Sequence, residues 1–293
     1  MAAPTEGSDP RTIPQRWAED GYVVVRQFFA GDELAAIAAQ VHHDCAAAIS
    51  RWDPRRAVVG GRGDNSGMLM PEEQLMFEPL GGADGPPQLR AMFGLHERSQ
   101  YYAALLRHPR LLALTASLFD GQSAVGEAVQ FIAKPPRTKY EFPLHQDNAY
   151  GQFWEPAQEV ATGVLALDRQ RADDGAIVVW KGSNHLPVLP HTPSTTLGAS
   201  LAMVEQPGVA RFPEVVLELD PGDLSFHAPN TIHRTGARRD GSDGSRRNLG
   251  LIFRSARATK DDQAIATAAA RIAAEGEVGA PAPMGVEQRQ CKM

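Results

Sequence analysis

The segment Pro143-Leu144-His145-Gln146-Asp147 sets an imidazole and a carboxylate two residues apart. In extended chain, positions i and i+2 face the same side, so His145 and Asp147 can aim at one metal ion. A third donor from a distant strand completes a set of two histidines and one carboxylate. That set leaves open positions on a ferrous ion, which non-haem oxygenases need for a co-substrate and O2. The pair alone is a weak signal. With 35 acidic residues and nine histidines among 293, about one His-x-acid pair arises by chance. A second one is indeed present in His42-His43-Asp44. It falls in a stretch with helical spacing, where i and i+2 diverge by about 200°, and it reads as a solvated helix face.

The context of the first pair is richer. Pro221-Gly222-Asp223 opens a stretch that runs past His227 to His233-Arg234-Thr235-Gly236. After a polar turn, Arg246-Arg247 lead the apolar run 248–253. A histidine before a turn and an arginine leading the return strand suit a two-part site. The imidazole serves the metal, and the guanidinium holds a dicarboxylate through a bidentate, charge-assisted pair. His227 competes with His233 for the distal position. Arg247 follows directly, but strand alternation turns it to the opposite face. Arg238 and Arg239 read as solvated turn residues.

The elements that carry these groups are legible in outline. Residues 21–29 are β-rich. Asp32 is a candidate helix N-cap before an Ala/Leu/Ile stretch that reaches about Ser50. Residues 51–90, rich in Gly, Pro and Asp, read as a long loop with short pieces of structure. Residues 97–120 read as two short helices separated at Pro109. From about residue 123 the short apolar runs 125–134, 159–168, 175–181, 214–219 and 248–255 are each bounded by turn residues. That pattern predicts an all-β sandwich or barrel, and the missing strand–helix–strand rhythm excludes a parallel doubly wound sheet. Residues 259–275 read as a capped terminal helix. The expected organisation is a single domain over 14–275, with loose tails at 1–13 and 276–293.

Composition narrows the function classes. Apolar residues make up 43% and charged residues 22%, and the net charge is −6. An acidic chain without a dense Lys/Arg tract argues against a nucleic-acid partner and against attraction to an anionic membrane. No apolar run approaches the ~20 residues of a membrane span. Two cysteines, Cys45 and Cys291, supply neither a disulfide framework nor a Cys-x-x-Cys zinc site and fit a reducing compartment. The first residues lack a basic region followed by an apolar one, so no secretory signal is expected. The expected location is cytoplasmic. The last three residues, Cys291-Lys292-Met293, loosely resemble a peroxisomal address, relevant only in a eukaryotic source.

The sequence resembles the phytanoyl-CoA dioxygenase family of Fe(II)/2-oxoglutarate oxygenases over roughly residues 18–255. The resemblance rests on four pieces in order. The first is Gly21-Tyr22-Val23-Val24-Val25 with Phe28-Phe29. The second runs from Ala133-Lys134-Pro135-Pro136 to Pro143-Leu144-His145-Gln146-Asp147. The third is Asp174-Gly175 through Gly182-Ser183-Asn184-His185. The fourth runs from Gly222-Asp223 through His233-x-Thr235-Gly236 to Arg246. The resemblance implies a mainly β fold with flanking helices around a double-stranded β-helix core, a jelly-roll, cupin-like architecture. It implies His145, Asp147 and His233 as metal ligands, His233 being the histidine followed by x-Thr. It implies Arg246 on the distal carboxylate of 2-oxoglutarate. Gln130 and Lys134, on the strand before the metal motif, and Thr162, on the next strand, fall where the family lines the cofactor pocket; each also reads as an ordinary strand residue. Arg234 stands where the family has Gly, and the spacing from His233 to Arg246 is slightly long. His185 reads as holding its turn. Tyr150, Phe153 and Trp154 read as pocket wall or core, and the regions 51–90 and 187–213 as the lid.

The activity implied is hydroxylation of an unactivated C–H in a small molecule, an amino acid or natural-product intermediate, with Fe(II), 2-oxoglutarate and O2 as the cofactor set and succinate and CO2 released. The same set supports desaturation, cyclisation or epimerisation, or action on an acyl-CoA. Halogenation needs a small residue where Asp147 stands. A rival from another class is a non-catalytic metal-binding or sensor barrel, which has no use for Arg246. A cupin enzyme without 2-oxoglutarate calls for a histidine cluster not found here. Oligomeric state is not legible in the sequence.

Overall fold

Helix α1 (Ile13–Asp20) begins with a reciprocal cap. The Thr12 hydroxyl accepts from the Gln15 N–H, and the Gln15 side chain accepts from Thr12, which satisfies two of the free N–H groups at a helix start. Gly21, at φ 77°, ends the helix in the left-handed region that glycine tolerates. Arg11 bridges Asp9 and Asp20, so residues 9–13, expected to be loose, are tied to the domain. Helix α2 (Gly31–Ser50) starts one turn-step earlier than expected. Its N-cap is Ala30, without a side-chain cap bond, and Asp32 and Glu33 fall inside the first turn, where their charge favours the positive helix end. The expected helices around Pro109 are α3 (Leu95–Arg98), α4 (Gln100–Leu105) and α5 (Pro109–Leu118), the last with Pro109 in its first turn.

The computed structural model describes residues 9–78, 88–150, 154–204, 207–239, 241, 244–263 and 265–267. Its strands in chain order are β1 (Tyr22–Val25), β2 (Val58–Gly60), β3 (Gly67–Met70), β4 (Leu75–Phe77), β5 (Leu89–Met92), β6 (Ala124–Lys134), β7 (Phe142–His145), β8 (Trp154–Glu155), β9 (Val160–Ala166), β10 (Ile177–Trp180), β11 (His191–Thr196), β12 (Ala199–Met203), β13 (Glu214–Leu217), β14 (Leu224–His227), β15 (His233–Thr235), β16 (Arg246–Ser255) and β17 (Thr259–Lys260). A nine-stranded sheet has the order β1-β14-β9-β16-β6-β5-β4-β3-β2, and a four-stranded sheet the order β13-β10-β15-β7. The pairings are antiparallel, as the turn-bounded runs predict. The short pieces of structure expected within region 51–90 are, in its described part, the strands of a meander, β2 to β5, that extends the large sheet beyond β6. Those strands are three or four residues long, too short for a periodic signal, and they form because β6 offers them an edge. The expected terminal helix begins after Asp261, whose carboxylate accepts from the Gln263 N–H; residues 268–275 and the tail at 276–293 lie outside the described residues.

Strand alternation divides the work of the large sheet. Val129, Phe131, Leu249, Leu251 and Phe253 join Ile37, Val41, Leu111 and Leu118 in one core, which packs helices on the outer face. Tyr22, Val24 and Val164 join Ile177, Val179, Val215 and Leu217 of the small sheet in a second core. The two sheets thus face each other as a jelly roll. The inward positions between them are Gln130, Ile132 and Lys134 on β6 and Arg246, Asn248 and Gly250 on β16, paired in register. The chemistry-bearing residues therefore lie on the inner face, and the helices wrap the other.

The turn into β14 locks β1 to this frame. Gly222 sits at φ 90°, and a Cβ there would lie 2.0 Å from the Phe29 carbonyl oxygen. Asp223 accepts from Arg26, from the Gln27 N–H and from the Asp220 N–H. Gly222→Ala is expected to lower unfolding free energy by about 2 kcal/mol or more, because it combines backbone strain with a contact no rotamer relieves. Denaturant unfolding of the two proteins measures it, and an unchanged midpoint would refute the argument.

Candidate metal and co-substrate site

Strand β7 ends at His145, which lies directly opposite His233 of β15. The pairing brings the two imidazole centroids to 4.0 Å. The chain then leaves the strand, and Asp147 opens a short 3-10 turn (147–150). The His-x-Asp pair is therefore not one extended segment, as the spacing argument assumed; a turn swings the carboxylate back toward the rings. Asp147 Oδ1 lies 3.4 Å from His145 Nε2 and 3.5 Å from His233 Nε2. One donor atom from each of the three lies within 4.8 Å of the others, so the three can hold one ion.

Hydrogen bonds assign the tautomers. His145 Nδ1 lies 2.7 Å from the Pro143 carbonyl and His233 Nδ1 2.9 Å from the Thr231 carbonyl. A carbonyl only accepts, so each Nδ1 carries the proton and each Nε2 keeps its lone pair for a metal. His227 is the reverse. Its Nε2 lies 3.2 Å from Asp147 Oδ2, and its buried Nδ1 has no partner. A proton on Nδ1 would leave a buried donor unpaired and a lone pair against a carboxylate, both costly. The proton therefore belongs on Nε2, where it is donated to Asp147. That answers the competition between His227 and His233: His233 has the free lone pair. Burial, then the neighbouring His145 and His227, pushes His233 well below the ordinary histidine range, which keeps it neutral.

A cavity of ≈ 200 Å³ opens on this cluster. Arg246 reaches it from the start of β16. Its Nη1 donates to Gln170 Oε1 at 2.9 Å, and its Nε is buried without a partner. Burial lowers its pKa from the ordinary arginine value, and no carboxylate pairs with it among the described residues. A buried, unpaired guanidinium N–H facing a cavity suits an incoming carboxylate. Gln130 and Thr162 also line the cavity. Gly250 leaves room for Gln130, whose Cγ a Cβ at that position would meet at 2.7 Å. Thr162 Oγ1 donates to Asp147 Oδ2 at 2.7 Å. Lys134 is fully buried but contributes no cavity wall. Its Nζ donates to the Tyr140 carbonyl at 2.8 Å and sits 3.9 Å from the Tyr140 ring centroid.

The remaining expectations divide. Regions 51–90 and 187–213 both wall the cavity, through Met76 and Arg90 and through Leu197 and Gly198. Backbone bonds from Arg62 N to Thr195 O and from Leu197 N to Asn65 O join them. The Tyr150 hydroxyl donates to the Leu201 carbonyl, and its ring lies edge-on to His145. Trp154 packs elsewhere, with Val160 and Ala258, and Phe153 lies outside the described residues. His185 is exposed and does not hold its turn; Ser183 Oγ, accepting from the Ile232 N–H, and Asn184 Nδ2, donating to the Ala18 carbonyl, do so. Arg238 is not a solvated turn residue: its side chain is buried and donates to the Lys134 carbonyl. Arg247 turns outward as alternation predicts and pairs with Asp168. His42 and His43 are exposed on α2. Gln170 and Thr235 were missed. Thr235 follows His233 by two on a strand and so shares its face, a signal that was present in the motif. Gln170 sits in a loop, and nothing in its surroundings in the sequence singles it out.

Comparison with known proteins places this geometry in a family. The family model for phytanoyl-CoA dioxygenase (PhyH) matches residues 17–248. A probable phytanoyl-CoA dioxygenase of Caenorhabditis elegans is 31% identical over 116 residues, 37% of this chain and 36% of that protein. The peroxisomal phytanoyl-CoA dioxygenase of Bos taurus is 28% identical over 142 residues, 46% of this chain and 41% of that protein. The chain thus spans well under two thirds of the curated relatives it matches. Among solved structures, the epimerase SnoN in complex with Fe3+, alpha ketoglutarate and nogalamycin RO has a TM-score of 0.63 at 20% identity, covering 87% of each chain. EctD from S. alaskensis with bound Fe has 0.61 at 18%, covering 87% of this chain and 80% of that one. The carbocyclase SnoK has 0.61 at 16%, covering 89% and 90%. These likenesses establish the shared fold.

The buried lysine yields a test. Burial, reinforced by Arg246 and Arg90, drives the Lys134 pKa well below the ordinary 10.5. Unfolding then takes up a proton in the window between the lowered value and 10.5, so wild-type stability rises with pH there. Lys134→Met is expected to melt above wild type near neutral pH, with the gap narrowing as the pH rises. Thermal melts across that range measure it; a gap that does not change with pH would mean a charged Lys134 in the folded protein.

Proposed function

The chain belongs to the phytanoyl-CoA dioxygenase (PhyH) family, and from that premise we propose that it is an Fe(II)- and 2-oxoglutarate-dependent oxygenase that hydroxylates a small molecule. The observation that carries this reading is one cavity wall holding three convergent donors, His145 Nε2, His233 Nε2 and Asp147 Oδ1, with an unpaired buried Arg246 Nε on the same cavity. Two imidazoles and a carboxylate fit a ferrous ion and leave positions open on it. A pure metal-binding or sensor barrel would gain nothing from a buried arginine without a counter-charge.

In this reading His145, Asp147 and His233 hold the metal, and Arg246 grips the distal carboxylate of 2-oxoglutarate. With both bound, the ferrous ion couples oxidative decarboxylation of 2-oxoglutarate by O2, releasing succinate and CO2, to oxidation of a substrate C–H bond. The residues of this chain orient and enclose. The Pro143 and Thr231 carbonyls fix the ring planes of the two histidines. Gln170 holds the Arg246 fork from behind. Gln130 and Thr235 supply polar groups beside the co-substrate, while Met76, Phe93, Phe142 and Leu197 give the substrate end an apolar wall that excludes water. The cavity suits a compact substrate, an amino acid or natural-product intermediate, better than an acyl-CoA. SnoN, in complex with nogalamycin RO, and EctD, with 5-hydroxyectoine, are neighbours with small-molecule ligands. No helix among the described residues is long and apolar enough to cross a membrane.

Anaerobic addition of Fe(II) and then 2-oxoglutarate is expected to produce the visible charge-transfer band of a chelated keto acid. His145→Ala should abolish it. Arg246→Ala should weaken 2-oxoglutarate binding about 10- to 100-fold, the loss of a charge-assisted carboxylate pair. Tight metal binding by the wild-type protein with no band would overturn the 2-oxoglutarate reading.

A further inference from the structure

The two oxygens of Asp147 have different neighbours. Oδ1 faces His145 Nε2 and His233 Nε2. Oδ2 accepts from Thr162 Oγ1 at 2.7 Å and from His227 Nε2 at 3.2 Å. Thr162 and His227 are direct cross-strand partners on β9 and β14, so their side chains project from the same face. Both meet the same carboxylate oxygen. The pairing is not incidental to burial: His227 leaves its Nδ1 orphaned in order to place Nε2–H on Asp147. Neither residue is needed to complete the three-donor cluster.

We propose that Thr162 and His227 are positioning residues that hold Asp147 to a single ligating oxygen. The inference rests on the Fe(II)/2-oxoglutarate reading of the site and adds to it what keeps the site open. A carboxylate can bind a metal through one oxygen or two. With Oδ2 occupied by two donors, only Oδ1 is free, and the three protein donors take three positions. Released from the clamp, the carboxylate can rotate and offer both oxygens. It then takes a fourth of six positions, a chelating keto acid fills the last two, and the place that O2 would need is closed. Thr162, for which the strand position suggested contact with the co-substrate, thus acts through Asp147 on the position left open for O2. His227 acts likewise and is a support for the metal carboxylate.

This predicts a split that a merely structural role does not produce. Fe(II) affinity and 2-oxoglutarate affinity are measured anaerobically, the second on Fe(II)-loaded protein by the charge-transfer band. The variants are Thr162→Val, His227→Leu and the two combined, with thermal melts alongside. In the double variant Fe(II) and 2-oxoglutarate affinities are expected to hold, while the charge-transfer band shifts and its decay on exposure to O2 slows about tenfold or more, the scale on which partners of a metal ligand act. Thr162→Ser and His227→Gln keep a donor aimed at Oδ2 and should each recover most of the rate. An unshifted band that decays in O2 at the wild-type rate in the double variant overturns the inference. So does a parallel fall in both affinities with the melting temperature, which the two conservative variants fail to repair. No band in the wild-type protein overturns the oxygenase reading beneath it, whereas a wild-type band that every variant reproduces overturns this inference alone.

Discussion

The pairing of β7 with β15 is the constraint on which the site depends. It sets His145 against His233 and closes the small sheet at the edge where the metal motif leaves it. The same backbone satisfies the Nδ1 proton of each ring through a carbonyl two residues earlier, Pro143 for one and Thr231 for the other. Two neutral imidazoles are thereby aimed at the point to which the turn at Asp147 returns the carboxylate. A slip of one residue in this register would send one of the rings to the opposite face.

Everything around that pairing keeps it in place. Gln146, between the two motif residues, donates to the Pro187 and Asn230 carbonyls and accepts from the Leu189 N–H. Its own N–H donates to His191 Nε2. The metal motif is thus pinned to the segment before the β11–β12 hairpin, whose tip, through Leu197 and Gly198, walls the cavity. On the opposite side the large sheet presents Thr162, His227 and Arg246 from three adjacent strands. Its outer face is covered by helices through an apolar core, so it forms a stiff plate rather than a loop scaffold, which suits groups that must hold their geometry.

The cavity lining is of two kinds. Around Arg246 it is polar, with Gln130, Thr235, Asn248 and the ring of Tyr140 nearby. Tyr140 lies beside two buried basic side chains, Arg90 on its face and Lys134 also over its ring. Arg90 is neutralised by Glu78, while Arg246 is not paired. The meander and the hairpin add the apolar Met76, Ala91 and Leu197, together with Arg90. Under the proposed reading, substrate discrimination would fall to the short strands and turns of regions 51–90 and 187–213, and co-substrate binding to the sheet.

Much of this was legible in the residues alone. The motif at 143–147, the histidine at 233 and the arginine at 246 are local in sequence, and alternation places Arg246 inward and Arg247 outward without further information. The strands after residue 123 are apolar runs long enough to carry their own signal. What tertiary structure decided was everything that depends on a partner distant in the chain. The meander at 58–92 consists of strands too short and too rich in glycine to be read, and they exist because β6 offers an edge. Gln170 is an ordinary loop residue until folding sets it against Arg246. The choice between His227 and His233 turns on which ring nitrogen finds a carbonyl, and the sequence holds no record of that. Residue types determined which chemistry was available; the three-dimensional pairing determined which lone pairs and protons face the cavity, because a hydrogen-bond partner far along the chain has no signature in the local pattern.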